Sequence, residues 1–330
     1  MNDRKPRVAI LDDFERIAAT VPAYGSLKAR ADVTLIGKRL ENSDAIVAAL
    51  RDFDALVLMR ERTFFSDKEY SQLPNLKFIS QTGRTTKHLD LAGATRHGIA
   101  VSGTPPDNGM STMELTIALI FALLRKIPQV NLRMREELWP AIAGNNLAGK
   151  TVGVFGFGRI GKEVARIMNA FGETRVLAYS RSLTPERAAE VGAERATLET
   201  LLKESDIVTI HIQSNEKTRG IIGEKELAMM KQGALLVNTA RGPIVSEPAM
   251  IRALESGKLG GVGLDVYDVE PLPMNHPLRR FDNAILMSHR GYATVEVLSE
   301  RYELAIQNML DFLDDMPLKL LNPDVVPKTR

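Results

Sequence analysis

The sequence contains no cysteine, and this absence removes several kinds of chemistry at once. Disulfide bonds, thiolate metal sites and a cysteine nucleophile are all excluded. A strong charge of one sign is also missing, because the formal net charge is only +2 and the charged residues are not gathered in blocks. The composition therefore gives no reason to expect nucleic acid or an anionic membrane as a partner.

Long apolar runs are absent as well. The most apolar segment, near residues 115–124, is too short and too interrupted to cross a bilayer. The N-terminal stretch MNDRKPRVAILDD is polar before it enters a strand-like run, and it lacks the apolar core of a signal peptide. We therefore expect a soluble cytoplasmic protein, and a length of 330 residues predicts two domains.

Metal-site and serine-hydrolase motifs are missing too. The five histidines form no H-E-x-x-H motif and no pair with metal-ligand spacing, and no serine occupies a G-x-S-x-G motif. A bound metal is therefore not expected. His88 and His97 stand in polar surroundings, so we predict surface roles for both.

Apolar strands alternate with helical segments in the first third of the chain. Helices are expected near residues 44–51 and 66–73. Strands are expected at residues 7–13, 32–37, 55–62, 76–83 and 98–104. This alternation predicts a parallel sheet with helices on both faces.

The segment STMELTIALIFALLRKIPQV, residues 111–130, predicts a helix with serine and threonine capping candidates and an end at Pro128. Its apolar residues cover nearly the whole circumference, which is typical of a helix buried between layers, domains or subunits. The pattern leaves open whether it is a core helix or a helix at a domain or dimer contact.

A second α/β series begins at Thr151, and a last helix is expected at residues 294–313. The strands of this series are expected at residues 151–156, 175–180, 206–212, 234–240, 261–266 and 284–289. Six strands with helices between them match the doubly wound sheet that binds dinucleotides.

The segment TVGVFGFGRIG carries the spacing G-x-G-x-x-G at Gly156, Gly158 and Gly161. The spacing alone is weak, but here it follows an apolar strand and opens a helix, as a dinucleotide-binding loop does. Gly156 permits a tight turn, Gly158 lets a pyrophosphate approach the backbone, and Gly161 lets the helix pack on the strand. The alternative is a structural strand–turn–helix that binds no ligand.

The end of the next strand bears on the choice between NAD and NADP. An NAD site expects an acidic residue about twenty positions after the glycine loop. Ser180 stands there instead, followed by Arg181 and with Arg175 nearby. Arg181 could hold the 2′-phosphate of NADP or could be an exposed loop residue, so the sequence favours NADP only mildly.

Three polar side chains come at or after the ends of the later strands. Arg241 follows LVNTA, Glu270 follows GLDVYDV, and His289 follows ILMS. Because strand ends of a parallel sheet share one edge, these residues can converge. An arginine can bind a carboxylate, a histidine can transfer a proton, and a neighbouring carboxylate favours the charged histidine. With a nicotinamide as hydride source, this set predicts an oxidoreductase.

These segments resemble the D-isomer-specific 2-hydroxyacid dehydrogenase family, including its phosphoglycerate dehydrogenases and glyoxylate–hydroxypyruvate reductases. The matching segments are PNLKFISQTGRTTKHLDLAGATRHGIAVSGTP, GFGRIG, ESDIVTIHI, LVNTARGPIV, GVGLDVYDVEPLP, HPLRRFDN and SHRGYAT. The resemblance implies two doubly wound parallel-sheet domains around a cleft: a flavodoxin-like substrate domain, residues 1–103 plus 293–330, and an inserted Rossmann-type NAD(P)-binding domain, residues 104–292. It also implies a homodimer formed through the cofactor domain.

Carried over to the matching positions, the resemblance implies that His289 is the acid/base and Glu270 its carboxylate partner. Arg241 would orient the substrate carboxylate and carbonyl, and the backbone at Gly83 and Arg84 would hold the carboxylate. The implied cofactor contacts are Gly156, Gly158, Arg159, Ile160, Gly161, Ser180, Arg181, Thr239, Ala240 and Asp265. The predicted reaction is hydride transfer between NAD(P) and a 2-keto or 2-hydroxy acid.

The choice of substrate stays open at the level of the sequence. In this family the histidine usually follows a proline and precedes an apolar residue and a glycine. Here Ser288 stands in place of the proline and Arg290 in place of the apolar residue. Arg60 matches a phosphate-binding arginine of phosphoglycerate dehydrogenases, so it predicts either a phosphorylated substrate or, with Arg62, an exposed loop pair. A nucleotide-sensing binding protein, similar to the corepressor relatives of the family, is the alternative function.

Overall fold

The structure is a computed structural model that describes residues 4–136 and 138–326. The described chain forms two compact units: residues 4–107 with 294–326, called unit 1, and residues 108–293, called unit 2. The strands of unit 1 are β1 Arg7–Leu11, β2 Asp32–Ile36, β3 Ala55–Leu58, β4 Phe78–Gln81 and β5 Ala100–Gly103. They pair in parallel in the order β2-β1-β3-β4-β5.

Strands β3 and β4 are buried along their whole length, which a parallel sheet achieves only when helices cover both faces. The helices of unit 1 are α1 Pro22–Arg30, α2 Ser43–Leu50, α3 Asp67–Ser71, α4 Leu91–Arg96 and α12 Val295–Leu313. The surface role predicted for His88 is wrong, because its side chain is buried beside Phe64. That burial lowers the pKa of His88 to about 4.

The long helix α12 attaches the last part of unit 1 to the sheet. The side-chain oxygen of Thr294 caps it by accepting from the N–H of Val297. Its Phe312 ring stacks on Phe78 of β4 with centroids 4.3 Å apart. The buried positions recur every three or four residues, which is the pattern of a helix with one face in the core: Leu298, Arg301, Tyr302, Ala305, Ile306, Met309 and Leu310.

Unit 2 is built on a second parallel sheet, in the order β12-β11-β10-β9-β6-β7-β8. Its strands are β6 Thr151–Phe155, β7 Arg175–Tyr179, β8 Glu194–Arg195, β9 Ile207–Ile210, β10 Ala234–Asn238, β11 Leu259–Leu264 and β12 Ala284–Leu286. Two doubly wound parallel sheets confirm the predicted fold class. The sequence missed β8, because two exposed charged residues give no apolar pattern.

The helices of unit 2 are α5 Met110–Leu124, α6 Ile127–Arg135, α7 Arg159–Ala170, α8 Pro185–Ala189, α9 Leu198–Glu204, α10 Glu224–Met229 and α11 Glu247–Glu255. The predicted helix over residues 111–130 is two helices. Lys126 adopts a left-handed φ of +54° and ends the first one, and Pro128 lies in the first turn of the second, where a missing N–H costs little. The cap of α5 is Gly109 instead of a serine or threonine.

None of the single helices in residues 4–136 and 138–326 is long and apolar enough to cross a membrane. Helices α5 and α6 reach the length and apolar composition of a membrane span only when they are taken together, and the chain bends by 66° between them.

Candidate active site

The glycine loop joins β6 to α7 with the geometry that a dinucleotide needs. Gly156 has a φ of +105°, which favours glycine, and Gly158 is the N-cap of α7. A Cβ on Gly161 would lie 1.9 Å from the carbonyl oxygen of Gly156, so only glycine lets the helix come this close. A Cβ on Gly158 would meet nothing within 4 Å. The loop therefore leaves room for phosphate oxygens at the start of a twelve-residue helix.

The carboxyl end of β7, which is expected to face the ribose of the cofactor, carries no acidic side chain at Ser180 or Arg181. Ser180 directly follows β7, and the exposed Arg181 comes next in the turn. Arg175 lies at the other end of β7, where its guanidinium pairs with Glu194 at 2.8 Å and Glu204 at 2.5 Å. Of the two arginines that the sequence placed near the ribose, only Arg181 lies at the carboxyl end of the strand.

Two further predicted cofactor residues follow β10. The hydroxyl of Thr239 is buried and lies 2.8 Å from the hydroxyl of Thr116 on α5. The N–H of Ala240 donates to the side-chain oxygen of Asn238 at 3.0 Å. These bonds hold the backbone at the end of β10 on the same sheet edge as the glycine loop.

Arg241 comes next, and the residue after it explains its position. A Cβ on Gly242 would lie 2.0 Å from the carbonyl carbon of Tyr267, so the chain after β10 presses against the chain after β11. The exposed guanidinium of Arg241 donates to the carbonyl of Ala240 at 2.6 Å. Its charge also acts on Glu270, where it helps to lower the pKa of that carboxyl group.

His289 and Glu270 form a direct pair. His289 Nδ1 lies 2.6 Å from Glu270 Oε2, and the backbone N–H of Tyr267 donates to Glu270 Oε1 at 3.0 Å. Burial opposes ionisation of Glu270, but the bonds from His289 and Tyr267 and the positive charges nearby outweigh burial and hold the pKa of Glu270 below its usual range. The carboxylate is therefore ionised and fixed at both oxygens.

The backbone of His289 is held in an uncommon conformation. Its φ is +57°, in the left-handed region that residues other than glycine seldom adopt. The buried carboxylate of Asp265 accepts from the next two backbone N–H groups, Arg290 at 2.6 Å and Gly291 at 2.8 Å. Burial raises the pKa of Asp265, against the lowering effect of these two bonds. Asp265, predicted as a nicotinamide contact, thus also anchors the turn that carries His289.

The predicted substrate residues Arg60, Gly83 and Arg84 lie in unit 1. Arg60 follows β3 with a left-handed φ of +55°, and its N–H donates to Thr82 Oγ1 at 2.9 Å. The N–H of Gly83 donates to Thr104 Oγ1 at 2.8 Å. The side chains of Arg60 and Arg62 are only 18% and 13% exposed, so the alternative of an exposed loop pair is wrong.

Sequence reasoning missed two residues that these contacts bring out: Tyr267 and Thr104. Tyr267 supplies an N–H to Glu270, and its hydroxyl donates to the carbonyl of Met287 at 2.7 Å. Neither a bond from a backbone N–H nor a bond from a tyrosine hydroxyl to a carbonyl can be recognised from residue types and their spacing. Among residues 4–136 and 138–326, no three histidine, aspartate or glutamate side chains are grouped as metal ligands.

Comparisons with known proteins show to which family the chain belongs. The family model "D-isomer specific 2-hydroxyacid dehydrogenase, NAD binding domain" matches residues 117–291. A glyoxylate reductase of Thermococcus litoralis is 37% identical over 295 residues, covering 85% of this chain and 87% of the relative. A D-3-phosphoglycerate dehydrogenase of Bacillus subtilis is 36% identical, covering 82% of this chain but 51% of that longer relative. The crystal structure of a phosphoglycerate oxidoreductase from Vibrio cholerae O395 superposes with a TM-score of 0.87 at 30% identity, covering 94% and 99% of the two chains.

Proposed function

Because the chain belongs to the D-isomer-specific 2-hydroxyacid dehydrogenase family, we propose that it transfers hydride between NAD(P) and a 2-keto or 2-hydroxy acid, with His289 as the acid/base. The observation that carries this proposal is the 2.6 Å bond between His289 Nδ1 and Glu270 Oε2, on the sheet that also carries the glycine loop. The chain is thus an oxidoreductase of the CH–OH group. The relatives give no support to a nucleotide-sensing protein.

The pairing of His289 with Glu270 assigns the proton step. The bond at Nδ1 orients the ring and leaves Nε2 for the substrate oxygen. In reduction His289 begins protonated and gives its Nε2 proton to the carbonyl oxygen; in oxidation it begins neutral and accepts the hydroxyl proton. Glu270 stays ionised and stabilises the imidazolium, while Arg241 binds the substrate carboxylate. A bound nicotinamide supplies or accepts the hydride.

NADP is the cofactor that the residues at the end of β7 favour. Ser180 offers no carboxylate to bond a free 2′-hydroxyl or to repel a 2′-phosphate. Arg181 is exposed next to it, and a guanidinium is well suited to hold a phosphate. The proposal is a preference for NADPH over NADH, with Arg181 as its source.

Unit 2 serves as the NAD(P)-binding domain in this proposal, and unit 1 serves as the substrate domain. The glycine loop and the residues Arg241, Glu270 and His289 all belong to residues 108–293. The predicted substrate contacts Arg60, Gly83 and Arg84 belong to the other unit. A cytoplasmic location stays a prediction from the sequence.

A short 2-keto acid, such as glyoxylate or hydroxypyruvate, is the substrate class that the glyoxylate reductase relatives favour. Arg60 and the phosphoglycerate dehydrogenase relatives favour a phosphorylated acid as the alternative. Ser288 and Arg290, which replace the usual neighbours of the catalytic histidine, contribute to the choice in this proposal.

Cofactor oxidation by the purified protein tests the reaction. We expect NADPH, and more weakly NADH, to be oxidised with at least one of glyoxylate, hydroxypyruvate, pyruvate, phenylpyruvate and phosphohydroxypyruvate. His289→Asn should lower kcat by about 10²–10⁴-fold while cofactor binding survives, because it removes the proton donor and little else. No oxidation of either cofactor with any acid would overturn the proposal. Unchanged turnover in the variant would overturn the role of His289.

A homodimer through unit 2 is the assembly that we propose. Helix α6 and the loop behind it expose an unusual series of apolar side chains: Ile127, Leu132, Met134, Leu138, Trp139 and Ile142. Trp139 alone is 90% exposed. Several exposed apolar side chains in one stretch of chain are typical of a protein contact, and a second copy of this chain is the partner that the family resemblance predicts.

A further inference from the structure

Arg301 lies on the face of α12 that is buried in the core of unit 1. The buried face of this helix is otherwise formed by leucine, isoleucine, methionine, alanine and tyrosine. Arg301 is 4% exposed in the middle of that face. A guanidinium is almost never buried unless it is paired, because it loses its hydration on burial. Its place in the helix therefore needs a reason other than packing.

The contacts of Arg301 point in two directions within unit 1. One end of the guanidinium, Nη2, bonds the carboxylate of Asp107. The other end, Nη1, lies 3.6 Å from the point that a Cβ on Gly83 would occupy, and Nη1 of Arg60 lies 3.2 Å from the same point. Two guanidinium groups from distant parts of the sequence thus meet over one glycine.

The charged groups nearest to the missing side chain of Gly83 are these two guanidinium groups. The Gly83 N–H already donates to Thr104 Oγ1 at 2.8 Å. The φ of Gly83 is +87° and both guanidinium groups crowd its missing side chain, so a larger residue there would displace them. Arg60 is itself held at a left-handed φ of +55°, and such a conformation outside glycine often marks a functional position.

We propose that Arg301 is a specificity-determining residue: with Arg60 it forms a site over Gly83 that binds the second anionic group of a dianionic 2-keto acid. Two arginines at one point favour a phosphate or carboxylate through charge-assisted hydrogen bonds. Both arginines and Gly83 belong to unit 1, so the site is formed within that unit. This inference rests on the proposed function.

The kinetic test compares two dianionic acids, phosphohydroxypyruvate and 2-oxoglutarate, with the monoanionic acids hydroxypyruvate and glyoxylate. In Arg301→Met, we expect the ratio of kcat/KM for the preferred dianion to that for the monoanions to fall about tenfold or more, since a charge-assisted contact is lost. Arg301→Lys should recover part of that ratio. The two dianions distinguish a phosphate from a carboxylate as the bound group.

Matched variants separate specificity from folding. Arg301→Met leaves Asp107 without its cation, so Arg301→Met with Asp107→Asn removes the pair as a neutral unit and should show the same loss of ratio. Arg30→Met removes an exposed arginine that also pairs with an aspartate, Asp314, and should leave the ratio unchanged. Equal losses for dianions and monoanions in both Arg301 variants would mean a structural role only and would overturn the inference.

Thermal stability tests anion binding at this site even if the protein reduces none of the acids. Inorganic phosphate should raise the Tm of the wild-type protein more than chloride of equal ionic strength, and the Arg301→Met variant should lose this difference. A preserved difference in the variant would contradict the site. If no acid is reduced but the phosphate effect depends on Arg301, the proposed function fails while the anion site stands.

Discussion

Within residues 4–136 and 138–326, three residues other than glycine adopt a left-handed φ within three positions after the last residue of a strand: Asp12 after β1, Arg60 after β3 and His289 after β12. Such residues cost about 1–3 kcal/mol each, so they persist only where neighbouring contacts enforce them. Around His289 these contacts are the two bonds that the N–H groups of Arg290 and Gly291 donate to Asp265. A buried carboxylate that binds the backbone therefore helps to set the position of the ring for which we propose the proton transfer.

Glu270→Gln should change the pH dependence of reduction. The neutral amide no longer offers a negative charge to the protonated ring, so the pH at which kcat/KM for 2-keto acid reduction falls to half should move down. Asp67→Asn is the matched control, because Asp67 forms a 3.2 Å pair with His97 in unit 1, whereas Glu270 and His289 belong to unit 2. Overlapping pH profiles for the wild type and Glu270→Gln would contradict the role of Glu270.

Asp12→Asn should stabilise the protein at neutral pH. Burial raises the pKa of Asp12 above 3.8, more than its bond from Thr63 lowers it. The ionised carboxylate of Asp12 therefore destabilises the folded state. This destabilisation is complete above the folded pKa of Asp12 and absent below pH 3.8. Asparagine also tolerates a left-handed φ. Calorimetry should give the variant a higher Tm at pH 7.5, with a gap that narrows as the pH falls toward 4.

The neighbouring residue provides the contrast for this prediction. The carboxylate of Asp13 accepts from the N–H groups of Ile17 and Ala18 at 2.9 and 3.1 Å. Asp13→Asn weakens charge-assisted bonds and should lower the Tm. If Asp12→Asn also lowers the Tm at pH 7.5, the account of Asp12 as a buried penalty is wrong.

At the scale of elements, the glycine loop shows how one motif contains two different requirements. Gly161 is glycine because the carbonyl of Gly156 occupies the space of a side chain. Gly158 is glycine although its surroundings in the protein are open. The first requirement concerns the packing of α7 on β6, and we propose that the second concerns a pyrophosphate that comes close to the backbone.

Alanine substitutions should separate these requirements. Gly158→Ala should fold with a nearly unchanged Tm but bind the reduced cofactor about tenfold or more weakly, measured by fluorescence titration. Gly161→Ala should lower the Tm by several degrees as well, because a Cβ would overlap backbone. Gly25→Ala in α1, where a Cβ meets nothing within 4 Å, is the control and should affect neither. Undiminished cofactor affinity in Gly158→Ala would argue against pyrophosphate at the loop.

Considered as a whole, the molecule places its predicted cofactor and proton-transfer residues in one compact unit and its predicted substrate arginines in the other. Unit 2 also carries the exposed apolar surface of α6 and its following loop. In a single copy that surface would stay in contact with water, at an expected cost of about 25 cal/mol per Å² of apolar area. Burial against a second copy would remove this cost.

The assembly can be tested by light scattering coupled to size exclusion. The wild type should elute with the mass of two chains, and Leu132→Glu together with Leu138→Glu should shift it to the mass of one. Met274→Glu is the control, since Met274 is an equally apolar and more exposed residue of unit 2 outside this surface. A wild-type protein with the mass of one chain at micromolar concentration would contradict the dimer.

The sequence by itself determined the class of the fold, and it predicted which residues carry out the proton step. Strand periodicity, the glycine spacing and polar residues after apolar runs are local signals, and a parallel sheet brings the ends of its strands to one edge. Arg241, Glu270 and His289 could therefore be predicted together before any distance was known. Their order along the chain, with the glycine loop before them, also pointed to the family.

Only the tertiary structure decided how these residues are held. The break between α5 and α6 depends on the left-handed Lys126, and the burial of His88 depends on loops that meet only in the fold. The meeting of Arg301 with Arg60 joins residues 241 positions apart in the chain. Contacts of this kind depend on packing between distant segments, and no local pattern of residue types carries them.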